Sequence, residues 1–211
     1  MENITIGIIA RDETINNTKV KVVTKNNLKY LNNLCDYIGI FSYDDENFNY
    51  DVLKLCDGII IQGGSDIHKY HYKIIDYAIN NNIPLLGICM GHQVVGLYST
   101  NKEEKDLVKI DNHYKIGEQH LVNIDKNSNL YKIFKEKLYV NSRHLFKLNE
   151  VKQPFKIVAR SDDDVIEAIE YIDDEHFILS VQWHPEDMDN MQGLYNYFLK
   201  EVIKRKNIRN K

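Results

Sequence analysis

Three stretches of this chain are apolar, largely β-branched and almost uninterrupted by polar residues: "ITIGIIA" at 4–10, "GIII" at 58–61 and "IPLLGI" at 83–88. A strand built from such a run has no polar face and must be covered on both sides, which is the condition of a parallel sheet flanked by helices. Between the runs, Leu28, Leu31, Leu34, Cys35 and Ile38 recur at helical spacing, and Ile74, Ile75, Ala78 and Ile79 do so again. Alternating strand and helix predict parallel strands joined by helical crossovers.

The second half changes character. "KIVARSDDDVIEAIEYIDDEHFILSVQW" at 156–183 holds three β-rich runs separated by the turn clusters "SDDD" and "DDE", predicting an antiparallel meander that feeds a last strand. A terminal helix follows, with Met191, Leu194, Tyr195, Phe198 and Ile203 on one face. No internal repeat and no Pro/Gly/Ser-rich linker divides the 211 residues, so one domain spanning 1–211 is expected.

Charge and cysteine usage narrow the functional classes. A net charge of −4 provides no positive field for a nucleic-acid backbone, and the locally basic tail "KEVIKRKNIRNK" reads as a solvated helix end. Three cysteines in unrelated spacings, without a CxxC pair, encode neither a disulfide framework nor a zinc site. No basic leader precedes a long apolar run and no run approaches bilayer length, so a cytoplasmic protein without membrane or nucleic-acid partners is expected. Nothing in the sequence calls for a metal or a cofactor.

The chemistry concentrates in three segments. Gly87-Ile88-Cys89-Met90-Gly91 is a G-x-C-x-G nucleophile elbow: a sharp strand-to-helix turn that strains its central residue and places the thiol at a helix N-terminus, where the dipole favours a thiolate. Cys35 and Cys56 fall on apolar faces and are assigned to the core. In "VQWHPE" at 181–186, residues i and i+2 of an extended segment point the same way, so His184 and Glu186 can face one site as base and orienting carboxylate. In "IIIQGGSD" at 59–66, Gly63 and Gly64 end a buried strand and leave bare backbone N–H groups able to approach an oxyanion. Each alone is also compatible with a structural role: a buried cysteine, a surface pair, an ordinary turn.

The order GG, then G-x-C-x-G-H-Q, then H-P-E resembles the class I glutamine amidotransferase superfamily over nearly the whole chain. The resemblance implies an α/β fold, a flavodoxin-like three-layer sandwich with a mostly parallel central sheet and a small antiparallel meander. It implies that Cys89 attacks a γ-glutamyl amide, His184 passes the proton to the leaving amine and Glu186 orients His184. Oxyanion donors would be the N–H groups of Met90 and Gly64, and Gln93 would help recognise the glutamyl group. "GGSDIHKY" is similar to the GG-x-D-(I/V) pattern of the γ-glutamyl hydrolase branch, and "VNSRH" at 140–144 to that branch's V-N-S-x-H segment, which assigns Asn141, Ser142 and His144 to the glutamyl site, with Arg143 beside them as a further substrate contact and a candidate for the leaving group. The "MGHQ" of the elbow is closer to the amidotransferase form, so a glutaminase subunit serving a partner synthase stays open, as does a non-catalytic binding relative.

The partner is then a small γ-glutamyl compound. Arg11, His68, Lys69 and His71 are candidate contacts for an anionic leaving group, since cations at the carboxyl ends of parallel strands suit phosphate. Within the hydrolase branch the chain is similar to enzymes that cleave a γ-glutamyl CDP-amidate in bacterial capsule phosphoramidate synthesis. γ-Glutamyl polyamines and aminobutyrate compounds remain alternative substrates.

Overall fold

A computed structural model describes residues 3–173 and 175–210. β1 (Thr5–Ile9) runs into the hairpin of β2 (Arg11–Ile15) and β3 (Thr18–Val22), and then β4 (Asp36–Ile40) returns to the sheet. β5 (Gly58–Ile61) is joined by helix α1 (Lys69–Asn80) to β6 (Leu85–Ile88), which turns at Cys89 into α2 (Met90–Thr100). β7 (Val108–Lys109), β8 (Tyr114–Ile124), α3 (Asn129–Phe134), β9 (Lys137–Arg143) and β10 (Phe146–Lys147) follow. The chain ends with β11 (Phe155–Ser161), β12 (Ile166–Tyr171), β13 (Ile178–Val181) and α4 (Gln192–Arg209).

Nine strands form one sheet in the order β4-β1-β5-β6-β13-β12-β11-β8-β9. The first five lie mutually parallel, among them the three apolar runs, as their composition predicts. β12 and β11 make the expected meander into β13, and β8 and β9 continue it antiparallel at the edge. Because side chains alternate along a strand, each buried run supplies two cores. Ile6, Ile8, Ile60, Leu86 and Ile88 pack with Phe198 and Val202 of α4, while Ile59, Ile61 and Leu85 pack with Ile74 and Ile75 of α1 and Val94 and Val95 of α2. The result is the mixed α/β sandwich that the sequence implies.

One expected helix is absent. Residues 25–28 form a 3-10 turn, a series of turns continues it, and Ile38 lies in β4. Amides of Leu31 and Leu34 donate to the carbonyls of Leu28 and Leu31, so the three-residue leucine spacing serves a 3.0-residue period instead of 3.6. Asn33 suits this outcome, because it adopts φ 64°, a left-handed conformation that interrupts a helix and that asparagine tolerates.

The basic tail is tied down through its helix. Lys206 Nζ lies 2.9 Å from Asp57, and Arg209 donates to the Asn82 carbonyl at 2.8 Å. No helix among the described residues is long and apolar enough to cross a membrane.

Candidate active site

The register of β6 against β13 pairs Ile88 with Val181, so the next residues out, Cys89 and Gln182, emerge side by side at the carboxyl ends of parallel strands. The Cys89 amide donates to the Val181 carbonyl at 2.9 Å and fixes the two strand ends together. Cys89 has φ 50° and ψ −101°, a strained backbone for a residue with a side chain, and it caps α2. The bracketing glycines let the elbow form. A Cβ at Gly91 would stand 2.2 Å from the Ile61 carbonyl oxygen, and one at Gly87 would stand 2.8 Å from the Gly91 carbonyl oxygen.

His184 follows β13 by three residues, and its Nδ1 lies 2.8 Å from Glu186 Oε1, with both residues buried. Cys89 stands beside the same imidazole: a Cβ placed on Gly63 would touch both His184 Cε1 and Cys89 Cβ. Burial works against a charged imidazole here. It is outweighed by the charge and hydrogen bond of Cys89 and then by Glu186, which push His184 up to about 10. The site therefore holds an imidazolium at neutral pH. Burial, aided by neighbouring Asp36 and Asp57 respectively, pushes the Cys35 thiol up to about 11 and the Cys56 thiol up to about 12.

Both glycines of the third segment reach the elbow. A Cβ at Gly63 would meet His184 Cε1 at 2.7 Å and Cys89 Cβ at 3.3 Å, and one at Gly64 would meet Met90 Cε at 3.4 Å. Arg11 Nη1 donates to the Gly63 carbonyl at 3.0 Å and holds the loop there.

A cleft of about 330 Å³ opens beside the dyad, lined by Arg11, Tyr114, Arg143, His184, Glu186 and Asp187 among others. Arg143 pairs with Asp187, which also accepts from Asn26; burial opposes ionisation of Asp187, but these two contacts hold its carboxyl below the usual range. Two guanidinium groups and two carboxylates thus line one small space. His184, Glu186 and Asp187 also place three potential metal-ligand atoms within 4.8 Å of one another; Glu186 Oε1 is taken by His184 and Asp187 by Arg143 and Asn26, while Glu186 Oε2 is buried without a hydrogen-bond partner among the described residues.

Several expected contacts lie elsewhere. Asn141 faces His184 rather than the cleft's open space: its Oδ1 accepts from the His184 amide and its Nδ2 donates to the His184 carbonyl, each at 2.8 Å. Ser142 points to the opposite face of β9 and donates to the His113 carbonyl at 2.7 Å. His144 is buried against His113, with Nδ1 3.0 Å from the Phe146 carbonyl oxygen, so both side chains are engaged away from His184. Alternation along a strand explains the split, because Asn141 and Arg143 share one face while Ser142 and His144 share the other. Gln93 donates to the Phe146 carbonyl at 3.1 Å and lies 3.4 Å from Gln182 Oε1.

The expected leaving-group cluster does not gather. Arg11 lines the cleft, but His68 turns away to Asp12 at 2.5 Å, and Lys69 lines a separate groove beside α1. His71 is fully buried in the first turn of α1, where it accepts from the His68 amide at 3.0 Å, and burial pushes its pKa down to about 3. Gln182 was missed by sequence reading: its Nε2 lies 3.7 Å from the Cys89 sulfur. The signal was a glutamine on a strand otherwise buried, one position before "WHPE".

The profile of the Peptidase C26 family matches residues 68–186, more than half of the chain. The glutamine-hydrolyzing GMP synthase component of Methanocaldococcus jannaschii is 32% identical over 157 residues, covering 72% of this chain and 74% of that protein. Among solved structures, a GMP synthase component from Thermoplasma acidophilum superposes with a TM-score of 0.72 at 17% identity, covering 100% of both chains. The glutaminase domain of Trypanosoma brucei CTPS with bound acivicin gives 0.69 at 20% identity, covering 96% of this chain and 94% of that one. At these identities the two structures speak to the fold.

Proposed function

The chain belongs to the Peptidase C26 family, with a class I glutamine amidotransferase fold, and from the geometry of its site we propose that it hydrolyses a γ-glutamyl amide. The observation that carries this reading is a thiol on a strained elbow, beside an imidazole that a buried carboxylate orients. Cys89 attacks the amide carbonyl, the Gly64 and Met90 N–H groups receive the oxyanion, and His184 gives its proton to the leaving amine. Glu186 holds the ring in one tautomer throughout. Water then attacks the γ-glutamyl thioester, with His184 taking its proton; the C–S bond breaks, glutamate is released and the thiolate is regenerated. The ordered contacts among Cys89, His184 and Glu186 argue against a non-catalytic relative. Their contribution by both halves of the sequence suits a single domain over 1–211.

The charge pattern of the cleft supports the substrate class. A glutamyl head carries an α-carboxylate and an α-ammonium group, which complement Arg11 or Arg143 and Asp187 respectively. Asn141 serves as a positioning residue for His184. In Asn141→Ala, turnover should fall about tenfold with KM nearly unchanged, because a catalytic group has lost its backbone clamp while substrate contacts remain. A raised KM at constant kcat would return Asn141 to the glutamyl site.

The finer reading is a member of the γ-glutamyl hydrolase branch, whose leaving group is a phosphoramidate such as CDP-amidate in capsule synthesis. Arg11 and Arg143 support it as the two cations left in the cleft once His68, Lys69 and His71 are set aside. The second reading is a glutaminase delivering ammonia to a partner synthase, favoured by the similarity to the glutamine-hydrolyzing component of GMP synthase. A panel of γ-glutamyl amides, with ammonia release from glutamine measured alongside, separates them. The hydrolase reading expects far faster turnover of the phosphorylated substrate, and Arg143→Ala should weaken that substrate selectively. Efficient glutaminase activity only on adding a synthase would overturn it, and equal Arg143→Ala losses on charged and neutral substrates would assign Arg143 to the glutamyl head.

A further inference from the structure

A second cluster of titratable groups lies on the antiparallel half of the sheet, away from the thiol. Glu167 of β12 is fully buried, and three imidazoles converge on its Oε1: His120 Nε2 at 3.0 Å, His113 Nδ1 at 3.5 Å and His144 Nε2 at 3.7 Å. His113 Nδ1 and His144 Nε2 are themselves 3.1 Å apart. Glu167 Oε2 is buried with no hydrogen-bond partner among the described residues.

The outer nitrogens fix the tautomers. His144 Nδ1 lies 3.0 Å from the Phe146 carbonyl oxygen, which can only accept, so the proton is on Nδ1. His113 Nε2 lies 3.0 Å from an Asp163 oxygen, and Asp163 already accepts from Ser161 Oγ and Asn112 Nδ2, so Nε2 carries that ring's proton. In the neutral rings, the inner nitrogens of His113 and His144 then turn lone pairs towards each other and towards a carboxylate oxygen. Such a buried convergence of acceptors is unfavourable unless a positive species sits within it.

Dimensions distinguish a metal ion from a shared proton. A proton between the two rings satisfies the 3.1 Å contact but leaves Glu167 Oε1 too far from both for a good hydrogen bond. A triangle with sides of 3.1, 3.5 and 3.7 Å instead has a point about 2.0 Å from all three corners, the length of zinc–imidazole and zinc–carboxylate bonds. The surroundings agree, since ligating histidines commonly donate their other N–H to a carboxylate or backbone carbonyl, and ligating carboxylates are themselves hydrogen-bonded. Asp163, the Phe146 carbonyl and His120 occupy those three places.

We propose that His113 Nδ1, His144 Nε2 and the Glu167 carboxylate form a binding site for a divalent metal ion of the zinc class. The sequence hides it because the ligands come from the residue before β8, the residue after β9 and the second residue of β12, without any short-spaced motif. The ion would pin the segment whose Phe146 carbonyl also accepts from Gln93 on the catalytic helix. Its role is to hold that segment in place.

The test is zinc and cobalt(II) binding to the full chain after chelator treatment, carried out in Cys89→Ala so that the elbow thiol cannot supply a ligand. One equivalent should bind per chain, and X-ray absorption should show two imidazoles and oxygen scatterers without sulfur. Affinity should fall by about a hundredfold or more in His144→Gln and in Glu167→Gln. If those variants do not fold, the ligand set from X-ray absorption decides alone. Absence of bound metal, one-imidazole coordination, or binding retained by both variants would overturn the site. Loss of binding in His184→Ala with retention in Glu167→Gln would place the ion in the catalytic cleft instead.

Discussion

Cys89→Ser should lose nearly all turnover on any γ-glutamyl amide, by about a thousandfold or more, while fold and substrate binding persist. The serine hydroxyl fits the same elbow, so the backbone strain, the Val181 carbonyl bond and the glycine contacts around it are unchanged. What disappears is the sulfur nucleophile beside His184. A hydroxyl is a poorer nucleophile than a thiol at neutral pH and needs a base to take its proton. The substitution also removes the Cys89 charge that raises the His184 pKa, so His184 should titrate lower in this variant. Rate measurements with a tight-binding check, such as substrate protection against thermal unfolding, separate lost chemistry from lost binding. Near-normal turnover would sink the thiol mechanism.

The elbow was legible because its requirements are local. A strained turn, two glycines that admit no Cβ and a helix start all lie within five consecutive residues, and the buried run before them sets the strand. His184 and Glu186 were legible for the same reason, being two residues apart on one segment. Side-chain direction across strands was not. "VNSRH" reads as one recognition segment, yet period-two alternation sends Asn141 and Arg143 to one face and Ser142 and His144 to the other. The glycine-loop cations fail differently: the start of α1 turns His71 into the core and leaves Lys69 on another groove, and sequence spacing does not state which way a loop leaves a strand. Glu167 and its imidazoles depend on strands brought together only by the sheet. Leucines three apart suit a 3-10 turn as well as a helix, and most backbone bonds of this segment span three residues before Asn33 turns left-handed.

His184→Ala should cost as much as losing the nucleophile, whereas Glu186→Gln should be about a hundredfold less severe, because the orienting member of such a triad can be lost without losing proton transfer. Glutamine keeps the size of Glu186 but not its charge. Its effect should therefore appear most clearly in the pH profile. The His184 pKa is raised from about 6.5 to about 10 despite burial, first by Cys89 and then by Glu186. A raised folded-state pKa means that the stability gained by pairing the imidazolium is fully present below about pH 6.5 and is lost as pH rises through about 10. The same proton is the one delivered to the leaving amine, so kcat/KM should decline on the alkaline side near that value. Removing the Glu186 charge should move this limb to lower pH while leaving it above the ordinary histidine range, since the contribution of Cys89 remains. An alkaline limb that stays in place in Glu186→Gln would mean that Glu186 does not stabilise the imidazolium, and equal rates in wild type, Glu186→Gln and His184→Ala would reduce the "WHPE" segment to a structural element.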